Sequence, residues 1–200
     1  MHYPAFFDKV PPIKLYDPLS DFLGAFEQGE MEISYLDCVK LAGHSCPTVA
    51  GAYLMARKGL EKLYPDTLPH RGMIHVSMRE SEVQGVTGVI CNVISFIAGA
   101  SGVGGFKGIQ GNFSRDNLLS YNVPMEGEVT LTRLDTDESV TLSYDPSIIP
   151  ADAMMQPLMG KTLQGIATKE EKEKFGQLWQ ARVEKILCTE ALWDQMITIH

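Results

Sequence analysis

GHSCPTVAGAYLMARKGLEKL, residues 43–63, joins a short glycine-led motif to a run whose apolar positions recur at helical spacing. Val49, Ala52, Tyr53, Ala56, Leu60 and Leu63 fall three and four residues apart. Residues 48–63 are therefore expected to form an amphipathic helix, with Thr48 as N-cap and Pro47 just ahead of it. The motif then lies at the helix N-terminus, where unpaired N–H groups and the positive dipole end favour a nearby negative charge such as a Cys46 thiolate. His44 supplies a borderline nitrogen donor and Cys46 a soft sulfur, a pair that zinc, copper and iron all accept. The alternative for the same two residues is a small buried cysteine and a hydrogen-bonded loop histidine.

On the N-terminal side, Pro4, Pro11, Pro12 and Pro18 suggest an extended arm. Residues 17–26 have helical spacing, with Phe22, Leu23 and Phe26 on one side. A short strand is expected over 31–35 and a further helical turn or two over 35–41. On the C-terminal side, residues 73–79 set Ile74, Val76 and Met78 against His75 and Ser77, the alternation of a strand with one buried face. Residues 86–98 are almost wholly apolar and are expected to be a buried helix carrying Cys91 and Asn92. Residues 128–134 and 139–144, joined by Asp135-Thr136-Asp137-Glu138, form a β-hairpin. Thr168 and Glu171 make a capping box for a helix running to about Cys188, with Phe175, Leu178, Trp179, Val183, Ile186 and Leu187 on one face. That face is expected to dock on the sheet or on a second copy of the chain, so the chain divides into a mixed unit, 1–150, and a helical extension, 151–200.

Composition bounds the function. Two hundred residues, 44% hydrophobic and 21% charged, are those of a globular protein able to bury a sizeable core. A net charge of −8 offers no counter-charge to nucleic acid or to anionic membranes. No uncharged apolar run reaches transmembrane length, and the opening residues lack a basic segment followed by an apolar one, so a cytoplasmic location is expected. Cys38, Cys46, Cys91 and Cys188 are scattered without a CxxC pair, which excludes a zinc ribbon and argues against a disulfide framework. The glycine-rich residues 99–112 contain neither the dinucleotide fingerprint nor a phosphate loop. Their glycines are expected to let the backbone turn and approach a site closely, with Lys107 as an anion contact.

Taken in order, the GHSCP motif, the small-residue helix start Ala50-Gly51-Ala52-Tyr53, the strand ending in Glu80, the apolar helix and the glycine-rich turn closing in Gly111-Asn112 resemble the formylmethanofuran dehydrogenase E-component-like family. The resemblance covers residues 36–122, and GHxCP is its most specific element. It implies an α+β fold with a mixed or antiparallel sheet, a homodimer, and a zinc-like metal held by His44 and Cys46. The chain departs from the family where a cysteine and an aspartate are usual: Val89 falls at the cysteine position and Asn92 at the aspartate position, with Cys91 two residues along. Thr48 also replaces a usual glycine, and the cysteine-rich C-terminal ribbon of some members is missing.

Cys91 is the first candidate for a third metal ligand, since zinc needs three or four donors; core packing is its alternative. His75, on the non-apolar face of its strand, is a further candidate to reach the site. Glu80 and Glu82 are candidates to orient a ligand histidine or act as general base, with Asn92 and Lys107 as further contacts. The expected partners are a metal ion and a small-molecule ligand. Three readings follow: a protein binding zinc or another transition metal, a haem- or molybdenum-cofactor-binding accessory protein, and a metal-free Cys/His thiol enzyme.

Overall fold

The computed structural model describes residues 2–200. Where the prolines predict only an extended arm, a 3-10 turn over Ala5–Lys9 leads into strand β1 (Ile13–Tyr16). Helix α1 is shorter than its apolar spacing predicts, Pro18–Leu23. Asp17 Oδ1 accepts from the N–H groups of Leu19 and Ser20 at its start, and Gly24, at φ +66°, ends it. Phe22, Leu23 and Phe26 are consequently exposed rather than turned to a core. Strand β2 (Glu30–Ile33) pairs antiparallel with β1. A capping box between Ser34 and Asp37 then starts α2 (Tyr35–Ala42), which takes Tyr35 out of the strand.

Helix α3 (Pro47–Leu63) starts one residue earlier than its spacing predicts. Proline fits the first helical position, where its missing N–H costs nothing, so the cap moves back to Cys46, whose Sγ accepts from Val49 N–H at 3.4 Å. Strand β3 (Ile74–Met78) buries Ile74, Val76 and Met78 as the alternation predicts, and α4 (Thr87–Ala98) is the buried apolar helix. After β4 (Leu119–Ser120) comes the hairpin of β5 (Val129–Arg133) and β6 (Ser139–Tyr144), turned through Asp137 at φ +59°. The C-terminal part holds α5 (Met155–Leu163), α6 (Lys169–Cys188), α7 (Trp193–Met196) and β7 (Ile197–Ile199). The five-stranded sheet runs β4-β3-β5-β6-β7, parallel between β3 and β4 and antiparallel elsewhere, which makes an α+β fold with a mixed sheet. No helix among the described residues is long and apolar enough to cross a membrane.

α3 lies on β5 and β6, and α4 packs between α3 and β3. Two glycines let α3 approach that closely. A Cβ at Gly51 would overlap the Tyr144 ring of β6, and one at Gly59 would come 2.7 Å from Leu131 Cδ1 and 3.1 Å from Leu142 Cδ1. On the outer side of α3, α6 buries Val183, Ile186 and Leu187 and also meets the N-terminal 3-10 turn. The docking face of α6 thus finds its partner within the chain, although Phe175, Leu178 and Trp179 are only partly covered. The extension also returns β7 to the edge of the main sheet, pairing Leu142 with Ile199.

Gly51→Ala is expected to destabilise the fold by about 1–3 kcal/mol, the usual cost of overpacking. Gly176→Ala, on α6 with nothing within 4 Å, should instead stabilise it by up to about 1 kcal/mol. Urea unfolding of the two variants checks the contrast, and equal midpoints would refute the close seating of α3. His75 on β3 stands between Ser77 Oγ, 3.3 Å from Nδ1, and Ser120 Oγ, 3.2 Å from Nε2, and burial lowers its pKa from the ordinary 6.5. The unfolded chain therefore takes up this proton first as pH falls. Stability present above about pH 6.5 should drop as pH falls from there toward the lowered value. His75→Gln should flatten that part of the profile in denaturation midpoints measured from about pH 5 to 8.

Candidate ligand site

Gly43, at φ +75°, ends α2 and turns the chain so that His44, Ser45 and Cys46 bridge two helices. His44 is exposed, and its Nδ1 lies 3.0 Å from Ala42 O. A carbonyl oxygen only accepts, so Nδ1 carries the proton, and a neutral ring keeps its lone pair on Nε2. Ser45 is gripped from two sides. Tyr35 OH lies 2.9 Å from its Oγ, that Oγ donates to Gln180 Oε1 at 2.9 Å, and Trp179 Nε1 and Gln180 Nε2 of α6 donate to its backbone oxygen at 3.0 and 3.2 Å.

Cys46 is 8% exposed and has Tyr35 and Tyr144 in its neighbourhood. Burial raises the pKa of both tyrosines, and both are neutral hydroxyls at physiological pH. The Tyr144 hydroxyl is buried without a hydrogen-bond partner, an unmet group in a native interior. No hydrogen bond joins His44 to Cys46 among the described residues, so the direct contact that a Cys/His thiol mechanism requires is missing.

In front of His44 lies a cavity of about 500 Å³ between the end of α2, one face of α4, the start of the glycine-rich turn and β4. Its polar groups come from His44, Asn92, Ser95 and Ser101, with Leu41, Val89, Val93, Phe96 and Leu119 as apolar wall. Gly102 lines the same cavity, the close backbone approach expected of the glycine-rich segment. Two of the candidate residues, His44 and Asn92, therefore meet there, and Val89, where the family's cysteine would fall, stands with them.

The other candidates lie elsewhere. Cys91 is fully buried; its Sγ accepts from Tyr121 OH at 3.2 Å and lies 3.5 Å from Ser95 Oγ. Burial, the Cys91 thiol and the Glu82 carboxylate nearby raise the Tyr121 pKa, which places Glu82 by this pair rather than by His44. Glu80 accepts from Arg79 Nε at 3.2 Å, and His75 is held between two serines. Lys107 spends its ammonium within its own loop, on Asp116 Oδ2 and Val103 O, both at 2.6 Å, so it is not a free anion contact.

Among the described residues no three His, Cys, Asp or Glu side chains stand close enough together to hold a metal ion. A closed site of four protein donors is therefore excluded within one chain. What remains is a correctly polarised histidine nitrogen and a thiol at a helix N-terminus, donors of the type zinc accepts but too few for a full coordination sphere. Sequence reasoning missed Ser45, Tyr144, Trp179 and Gln180. Only Trp179 carried a signal, its place on the apolar face of α6, since Gln180 reaches Ser45 across 135 residues.

Comparison with curated proteins and with solved structures gives no match. The family FmdE, described as "Molybdenum formylmethanofuran dehydrogenase operon", matches residues 41–192, a span that takes in the motif, the cavity walls and the gripping helix α6. With well over half its length matched, the chain belongs to the FmdE family.

Proposed function

We propose that the chain binds a zinc-like transition metal together with a small ligand at the mouth of the His44 cavity. His44 Nε2 and Cys46 Sγ are the protein donors, and the remaining positions are filled from outside the chain. The observation that carries this reading is the His44 ring, whose Nδ1–H is fixed by Ala42 O. Ligating histidines are oriented in that way, with the second nitrogen tied to a carbonyl or carboxylate. A bound ion of this kind supplies Lewis acidity. The cavity supplies what a small-molecule site needs, an apolar wall with a few convergent polar groups.

Asn92 sets the limit on the chemistry. An amide presents donors and an acceptor but transfers no proton in the ordinary pH range, so this wall orients a ligand rather than acting as acid or base. Binding is accordingly the role assigned here. Ser45, clamped by Tyr35, Trp179 and Gln180, fixes the segment between the two donors, which lets so short a motif hold its geometry.

Protein purified without chelator should carry a colourless metal, measured by elemental analysis. Cys46→Ala and His44→Ala should each weaken retention by about tenfold or more. Cys91→Ser should leave it unchanged, because that sulfur is already engaged by Tyr121 and Ser95. Full metal content in Cys46→Ala would refute the site, and a Soret band would reassign it to haem. One metal per two chains, on a species with the mass of a dimer, would identify the missing donors as those of a second copy.

A further inference from the structure

A second cavity, of about 560 Å³, opens on the far side of the glycine-rich turn. Its wall includes Arg71, Arg115 and His70, the apolar surfaces of Tyr16, Met73 and Phe113, and, among the described residues, no aspartate or glutamate. Beneath it Asp17 is the one carboxylate shared by both arginines: Arg115 Nη2 donates to Oδ1 at 2.6 Å and Arg71 Nη1 to Oδ2 at 3.0 Å. The same Oδ1 also accepts the two cap N–H groups of α1. The carboxylate is saturated, and two guanidinium charges face one negative charge.

The arginines are not spent on this pair. Arg115 is 8% exposed, yet among the described residues only its Nη2 has a hydrogen-bond acceptor. Arg71 donates Nη2 to Phe96 O at 2.9 Å, while its Nε is buried with no partner at all. Gly72 packs against the Arg115 guanidinium so tightly that a Cβ there would come 2.5 Å from Nε, which fixes the fork in place. Burial, helped by the like charge of Arg115, lowers the Arg71 pKa against the pull of Asp17. A buried excess of positive charge with free N–H donors is costly unless an anion meets it.

We propose that this cavity is a binding site for a small organic anion, a phosphate or carboxylate attached to an apolar or aromatic body. The fork geometry of arginine suits both anions. The Arg71 and Arg115 end takes the charge, and the Tyr16, Met73 and Phe113 surfaces take the body. The site is separate from the His44 cavity and does not depend on a metal there.

Isothermal titration of the full chain with phenyl phosphate and with benzoate tests the proposal and tells the two anions apart. Binding of either probe, weakening as salt is raised, is the expected result. Arg115→Lys keeps a positive charge on Asp17 but loses the fork. Asn112→Trp fills the mouth from an exposed position and leaves the arginines untouched. Each should weaken the bound probe by about tenfold or more. Absence of binding by both probes, or binding undiminished in either folded variant, would overturn it. Should Arg115→Lys fail to fold, Asn112→Trp alone decides.

Discussion

Gly51 and Gly59 stand on α3 where the sheet comes closest, and Tyr144, Leu131 and Leu142 occupy the space their side chains would need. Everything around the candidate site follows from this seating. A helix pressed so near the sheet cannot slide along it, because a larger residue at either position would strike an aromatic ring or a branched side chain. Pro47 then fixes where the helix begins, and Cys46 becomes its cap by position. The thiol is thus placed by backbone chemistry and core packing, independently of any ligand. Tyr144 takes part twice, as the ring that fits against Gly51 and as the unsatisfied hydroxyl near Cys46.

The glycine-rich turn extends the same logic to the other side of α4. Gly99, at φ +68°, ends that helix, and the chain then returns so that Ser101 N–H donates to Arg115 O and Leu118 N–H to Ser101 O. One face of this turn completes the His44 cavity and the other holds Arg115 beneath the second cavity. The helix end is covered by donors: Arg71 Nη2 donates to Phe96 O, and Gly72 N–H to Ala98 O at 2.7 Å. Carbonyls that a helix leaves unpaired are satisfied in this way, and the negative dipole end offsets part of the arginine charge.

Much of this is legible in the sequence where local physics decides. The spacing from Val49 to Leu63, the alternation from Ile74 to Met78, the apolar run of α4, the hairpin and the Thr168 capping box each state their structure within a dozen residues or so. The boundaries move where two local rules compete: Pro47 overrides Thr48 as the start of α3, and Gly24 cuts α1 short of Phe26. β4 and β7 carry no readable pattern because two or three residues are too few for one, and pairing with β3 and β6 creates them. The donors His44 and Cys46 stand out as a motif. The grip of Gln180 and Trp179 on Ser45, and the pairing of Asp17 with Arg71 and Arg115, join residues far apart in the chain and leave no trace in spacing.

The two cavities pose opposite electrostatic problems for a chain of net charge −8. At the first, Val89 and Asn92 stand where a thiolate and a carboxylate would add negative charge, so the wall is neutral and His44 and Cys46 are the only donors on offer to a cation. A site with so few anionic groups discriminates by donor type, nitrogen and sulfur, rather than by charge, which favours a borderline ion such as zinc over magnesium or calcium. At the second, an acidic surface repels anions at long range, but such repulsion fades beyond a Debye length of about 8 Å at physiological salt. The arginine pair is closer to a ligand in its cavity than that, and its charge is screened least because it is mostly buried. Attraction there is short-ranged and geometric, set by the fork of Arg115 and the unpaired Nε of Arg71, so shape and hydrogen bonding rather than steering determine which anion is held.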